Sequence, residues 1–173
     1  MLQEIAGLVA DEFRDPFLSV SAEIAFLRVF FAAFLGAAIG FEREIHSSAA
    51  GLRTHIILAM AACLFALIAA EIVARDLDGS EQLTSDPLRL IEAVTAGVAF
   101  LAAGSIITSG GKITGLTTGA GMWMAGAIGL ACGTGLIPLA VMATMLTVLV
   151  LWVLRRLSRR IAESGDTQEA RGD

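Results

Sequence analysis

The chain is 173 residues long, 56% hydrophobic and only 17% charged, with a formal net charge of −5 and a mean hydropathy of +0.77. Soluble domains carry closer to a quarter charged residues, so this balance weighs against a water-soluble globular domain and favours a multi-pass membrane protein. The small net charge says little by itself; the charges crowd into 1–23, 42–53, 75–89 and 155–173 and leave long neutral runs between them.

Residues 1–23 lack the basic start and cleavage site of a signal peptide, and their mixture of apolar and acidic residues reads as a short amphipathic extracytoplasmic segment. A bilayer crossing needs about 20 apolar residues. Five stretches meet that need: Ile24–Phe41, interrupted by Arg28; Ile56–Ala74, with Glu71 near its end; Leu88–Thr108, with Arg89 and Glu92 at its start; Leu116–Gly133, diluted by glycine and threonine; and Leu136–Leu154, the most lipid-like. The expected fold is an all-α integral membrane protein whose five transmembrane helices occupy 24–154, followed by a basic and then disordered cytoplasmic tail over 155–173.

Orientation follows from the basic residues. Arg43, Arg53, Lys112, Arg155, Arg156, Arg159, Arg160 and Arg171 fall on one side of the alternating spans, against Arg14, Arg75 and Arg89 on a side rich in acids. The positive-inside rule then places the N-terminus outside and the C-terminus in the cytoplasm, as an odd number of spans requires.

Residues 97–135 hold 11 of the 18 glycines, set among apolar residues. In lipid, where burial gives helices no drive to associate, small residues allow close backbone approach. Gly36 and Gly40 form one GxxxG pair, Gly111, Gly115 and Gly119 continue the spacing, and Gly129 and Gly133 repeat it; Gly97 and Gly104 lie on the third helix. These predict packing seams, whereas the fifth helix lacks one and is expected to face lipid or a second subunit, making a homo-oligomer the expected assembly. Cys63 and Cys132 sit in apolar runs without ligand-spaced partners, which fits two buried thiols better than a disulfide or metal site.

Charges at the edges of spans are the pointers to function, because each is costly when left alone in lipid. Arg28, Glu71 and Glu92 fall at similar depth near the outer side, with Asp86 and Arg89 close by. They either cluster or reach the headgroups separately; Glu71 and Glu92 are the weak candidates for a metal. On the cytoplasmic side Glu42, Arg43 and Glu44 lead into Gly51, Arg53, Thr54 and His55, and the same face receives Lys112, Thr117 and Thr118. Hydroxyls and free amides at a helix start suit a polar or ionic site. No phosphate loop, HExxH, Ser/His/Asp grouping or pair of catalytic carboxylates is present, so neither an enzyme nor a resident cofactor is expected. The arginines after Leu154 suit anionic headgroups rather than nucleic acid, because they follow a span directly and no aromatics interleave.

The segments Gly40-Phe41-Glu42-Arg43-Glu44-Ile45 and Ala50-Gly51-Leu52-Arg53-Thr54-His55 resemble the signature of the MgtC/SapB family of bacterial inner-membrane proteins. The similarity continues through Asp86-Pro87-Leu88-Arg89, residues 97–104, Gly115-Leu116-Thr117-Thr118, Trp123 and residues 127–133. Ala99 and Ala102 stand where the family commonly has glycine, and Ala93, beside Glu92, where it commonly has glutamine. With only residues 155–173 after the fifth helix, the chain resembles the short, SapB-like form. The resemblance implies a five-helix domain of the inner membrane and a part in magnesium-limited growth or in stress and virulence adaptation. It also implies binding and regulation of other membrane proteins such as the F-type ATP synthase or, alternatively, transport of magnesium. Magnesium takes one or two carboxylates plus water, but no helix carries a continuous polar stripe, which tilts the expectation towards regulation.

Overall fold

The computed structural model describes residues 1, 17–46, 48–77, 87–109 and 112–169. Five α-helices account for nearly all of them: α1 (Ala22–Ile45), α2 (Leu52–Leu77), α3 (Pro87–Gly104), α4 (Leu116–Gly133) and α5 (Ile137–Glu169). A short antiparallel hairpin, β1 (Ile107–Ser109) with β2 (Lys112–Thr114), joins α3 to α4 in the register Ile107 to Thr114 and Ser109 to Lys112. By length and composition, Ala22–Ile45, Leu52–Arg75 and Ile137–Leu157 can each cross a membrane. The shorter α3 and α4 have 18 residues each.

The organising helix is α2. Its buried residues His55, Leu58, Ala59, Ala62, Cys63, Ala66 and Leu67 recur at three- and four-residue steps and form one inward stripe. Helices α1 and α4 pack on α2, α5 covers α1 and α4, and α3 lies mainly on α4. Two glycine pairs make the central contacts. A Cβ added at Gly36 would lie 2.9 Å from Ala59 Cβ, and one added at Gly129 would lie 2.2 Å from the Ala59 carbonyl oxygen. Gly40 approaches Leu52 and Gly133 approaches Cys63 in the same way, so each GxxxG lays its backbone directly on α2. The thiols of Cys63 and Cys132 are free and buried in this core.

Large apolar side chains cover the outside. Phe26, Phe30 and Phe34, four residues apart on α1, are all more than half exposed, as are Met145, Leu149 and Trp152 on α5. Apolar surface this continuous belongs in lipid or against a partner, not in water.

Several boundaries differ from the hydropathy reading. Helix α1 runs on to Ile45 instead of stopping at Phe41, because Glu42 and Arg43 find partners inside the bundle and need not leave the helix. Helix α3 stops at Gly104, not Thr108: the Ser105 and Ile106 amides bond to Ala102 and Ala103, tightening the last turn before the hairpin begins. Gly115 is not part of a glycine seam running into α4. It sits at the N-cap with φ +86°, where a side chain would lie 2.0 Å from the Ser105 carbonyl oxygen. Gly111 lies outside the described residues. Gly119 does pack, against Ala102, but Gly97 and Gly104 meet nothing within 4 Å and are not contact points among the described residues. Helix α5 continues through 155–169, where a disordered tail is expected from composition; no proline follows Pro138 to stop it.

Helix α4 ends in a Schellman arrangement, with the Leu136 amide bonded to the Ala131 carbonyl and the Gly135 amide to the Cys132 carbonyl. Gly135 takes φ +86°, as that turn requires.

Candidate functional site

Among the described residues, the buried charged side chains gather at the end of the bundle where α1 finishes and α2 and α4 begin. Glu42 and Arg43 project from the last turns of α1, His55 from the first turn of α2 and Thr118 from the first turn of α4, and all four are buried. They belong to helices otherwise read as spans, so their charges need internal partners.

Glu42 supplies the centre. Its Oε2 lies 3.7 Å from Arg43 Nη1, and its Oε1 lies 2.9 Å from Arg155 Nη1 and 3.4 Å from His46 Nδ1. The Arg155 contact is close but off the angle of a hydrogen bond, so Glu42 Oε1 and Arg155 Nη1 both retain hydrogen-bonding capacity. Arg43 Nη2 donates a long bond of 3.4 Å to Thr118 Oγ1, while its Nε has no partner among the described residues. His55 Nδ1 donates to the Gly51 carbonyl oxygen at 2.8 Å, which leaves Nε2 as an acceptor in the neutral ring. That Nε2 is buried and unbonded, and a Cβ at Gly121 would lie 3.1 Å from it. One carboxylate and two guanidiniums, with several unsatisfied atoms, thus lie together.

Beside this cluster Glu44 has a separate task. Its Oε2 accepts the Leu52 amide at 2.9 Å and caps α2. Arg53, Thr54 and Thr117 are exposed and do not join the cluster. Lys112 lies on β2, opposite Ser109.

The opposite end is built differently, and of the two arrangements left open for Arg28, Glu71 and Glu92 the three-residue cluster does not form. Arg28 Nη1 donates to the Gly133 carbonyl oxygen at 2.8 Å, closing the end of α4. Glu71 accepts the Leu18 and Ser19 amides and the Ser19 hydroxyl at 3.0 Å, and Arg75 Nε at 2.9 Å. It holds the segment before α1 against α2. Arg89 and Glu92 are exposed. Helix α3 docks through Val94, Val98 and Ala102, and Glu92, two residues from Val94, points about 200° away from that face. Asp86 lies outside the described residues. Among the described residues no group of three or more His, Cys, Asp or Glu side chains gathers as metal ligands.

Two participants escaped the sequence reading. Arg155 belongs with the basic run that follows Leu154 by spacing alone, and nothing local signals its contact with Glu42. Gly121 likewise carries no motif of its own, and only the fold brings it to His55; His46 reaches Glu42 by the four-residue spacing at the end of α1.

A helical membrane protein with a charged cluster enclosed at one end is the class that this fold and site define. The sequence pattern of the MgtC family matches residues 29–160, and the chain belongs to that family. It is 36% identical to YhiD of Escherichia coli (strain K12), whose name carries a proposed magnesium-transport role, over 78% of this chain and 62% of that protein. It is 37% identical to Protein MgtC of Brucella abortus (strain 2308), over 73% of this chain and 49% of that protein. The chain therefore spans about half to three-fifths of the length of these relatives. No solved structure matches it.

Proposed function

We propose that the chain is a non-enzymatic, five-span protein of the bacterial inner membrane that binds and regulates other membrane proteins during magnesium limitation or stress. The observation that carries this reading is the inner face of α2. His55 and Glu71 mark its two polar ends, about 24 Å apart at the helical rise, and every buried residue between them is apolar: Leu58, Ala59, Ala62, Cys63, Ala66 and Leu67. Ile39, Ile128 and Cys132 close on the same stripe. A hydrated cation has no chain of oxygen ligands to follow through this packing. The faces left uncovered, α3 and the outer side of α5, are those offered to a partner or a second copy.

The topology has its own support. Contacts gather Arg43, Arg155 and the start of α2 at one end, and Arg28 and Glu71 at the other. With the basic end cytoplasmic, the N-terminus lies outside.

Magnesium transport is the second reading, favoured by the name of the Escherichia coli relative. Purified protein in proteoliposomes separates the two. The regulatory reading expects no magnesium flux above empty vesicles, together with a stoichiometric membrane partner, the F-type ATP synthase being one candidate, on mild-detergent purification from magnesium-starved cells. Flux from folded protein that falls in Glu42→Gln would sink it.

A further inference from the structure

We infer that the groove between α1 and α5 is a site for an anionic phospholipid, whose acyl chain lies between the helices and whose headgroup meets the Glu42–Arg155 end. This holds whether the chain regulates or transports. The groove has a volume of about 750 Å³ and is lined by Phe34, Ala38, Val141, Met145 and Leu149, with Glu42 and Trp152 at one end. Its size is that of a site for a drug-sized ligand, and its lining is apolar except at that end and at Thr144, whose hydroxyl is bonded to the Ala140 carbonyl oxygen. The two helices run in the same direction there, so residues 34, 38 and 42 of α1 accompany 141, 145, 149 and 152 of α5. The next turn of α5 brings Arg155 and Arg156.

The polar end is built to take a phosphate. Arg155 Nη1 lies 2.9 Å from Glu42 Oε1 without hydrogen-bond alignment, and both atoms are buried and unsatisfied. Arg43, 5% exposed, is held beside Glu42 with its Nε unpartnered. The Arg156 guanidinium rests 5.7 Å from the centre of the Trp152 ring, which ties a third cation to the mouth of the groove. One carboxylate against three guanidiniums leaves an excess of positive charge, complementary to a phosphodiester. Headgroup hydroxyls supply donors that the Glu42 oxygens lack, which favours phosphatidylglycerol over a headgroup without them.

The test uses the full chain in vesicles of phosphatidylglycerol and phosphatidylethanolamine, with retained lipid counted by native mass spectrometry. Wild-type protein should retain phosphatidylglycerol in clear preference to phosphatidylethanolamine. Arg156→Gln, an exposed position, should weaken that retention roughly fivefold, and Ala38→Phe should abolish it by filling the groove while leaving every charge in place. Equal retention of the two lipids, or full retention in Ala38→Phe, would overturn the proposal, as would a lipid-free dimer crosslinked through α1 and α5. Should either variant fail to fold, wild-type protein and a phosphatidylglycerol with a photoreactive acyl chain decide the matter: labelling concentrated on 34–38 and 141–149 supports the site, and labelling spread evenly over the lipid-facing helices refutes it.

Discussion

The carboxylate of Glu44 occupies the space in which a side chain at residue 51 would begin. Its Oε2 accepts the Leu52 amide at 2.9 Å, and a Cβ built on Gly51 would lie 1.7 Å from that oxygen. The glutamate of one motif and the glycine of the next are thus two halves of a single cap on α2. Glu44→Ala removes the acceptor and should cost about 1 kcal/mol. Gly51→Ala should cost at least as much, because it expels the same carboxylate. Their effects should not add: in the Glu44→Ala background, Gly51→Ala should become nearly neutral in thermal unfolding in detergent. Additive losses would show that Gly51 serves something other than the cap.

The glycines separate into those under contact and those without it. Gly129→Ala drives a methyl group onto the Ala59 carbonyl oxygen, and overpacking of that kind costs about 1–3 kcal/mol. Gly97→Ala meets nothing within 4 Å and should be neutral, or stabilising by about 0.5–1 kcal/mol through helix propensity. Detergent melting temperatures should therefore fall for Gly129→Ala and hold or rise for Gly97→Ala. If Gly97→Ala proves the more damaging, its face of α3 is occupied by something outside this chain.

Glu42 and Arg155 are coupled across 113 residues of sequence. Arg155→Ala leaves Glu42 with Arg43 and the weakly placed His46, and Glu42→Ala leaves two guanidiniums facing each other. Each single variant should destabilise more than the double variant implies, with a coupling energy on the order of 1–3 kcal/mol in a double-mutant cycle. A coupling near zero would mean that Arg155 is solvated and that the cluster closes without it.

Glu71 holds residues 18 and 19 through their amides. Glu71→Ala should release that segment while leaving α2 intact. Hydrogen exchange should then accelerate at the Leu18 and Ser19 amides, which now bond to Glu71, with little change along 55–67. Magnesium should protect neither amide in the wild type. Protection that tracks added magnesium would return Glu71 to the list of cation ligands.

Composition and period by themselves determined much of this protein. Apolar runs of bilayer length specify helices whatever their partners, because an unpaired backbone in lipid is prohibitive. The small-residue spacing of Gly36, Gly40, Gly129 and Gly133 likewise marked where backbones could meet. Tertiary structure decided which helix received them. Both pairs close on α2, and no local pattern names a partner across 93 residues from Gly36 to Gly129. It also decided the charges. Arg28, Glu71 and Glu92 have similar depth in the chain, yet depth fixes only one coordinate, and the rotation of each helix about its axis sent Arg28 to Gly133, Glu71 to Ser19 and Glu92 outward. The same rotation brought Arg155 in to Glu42 and made the first arginine of a basic run part of the charged cluster.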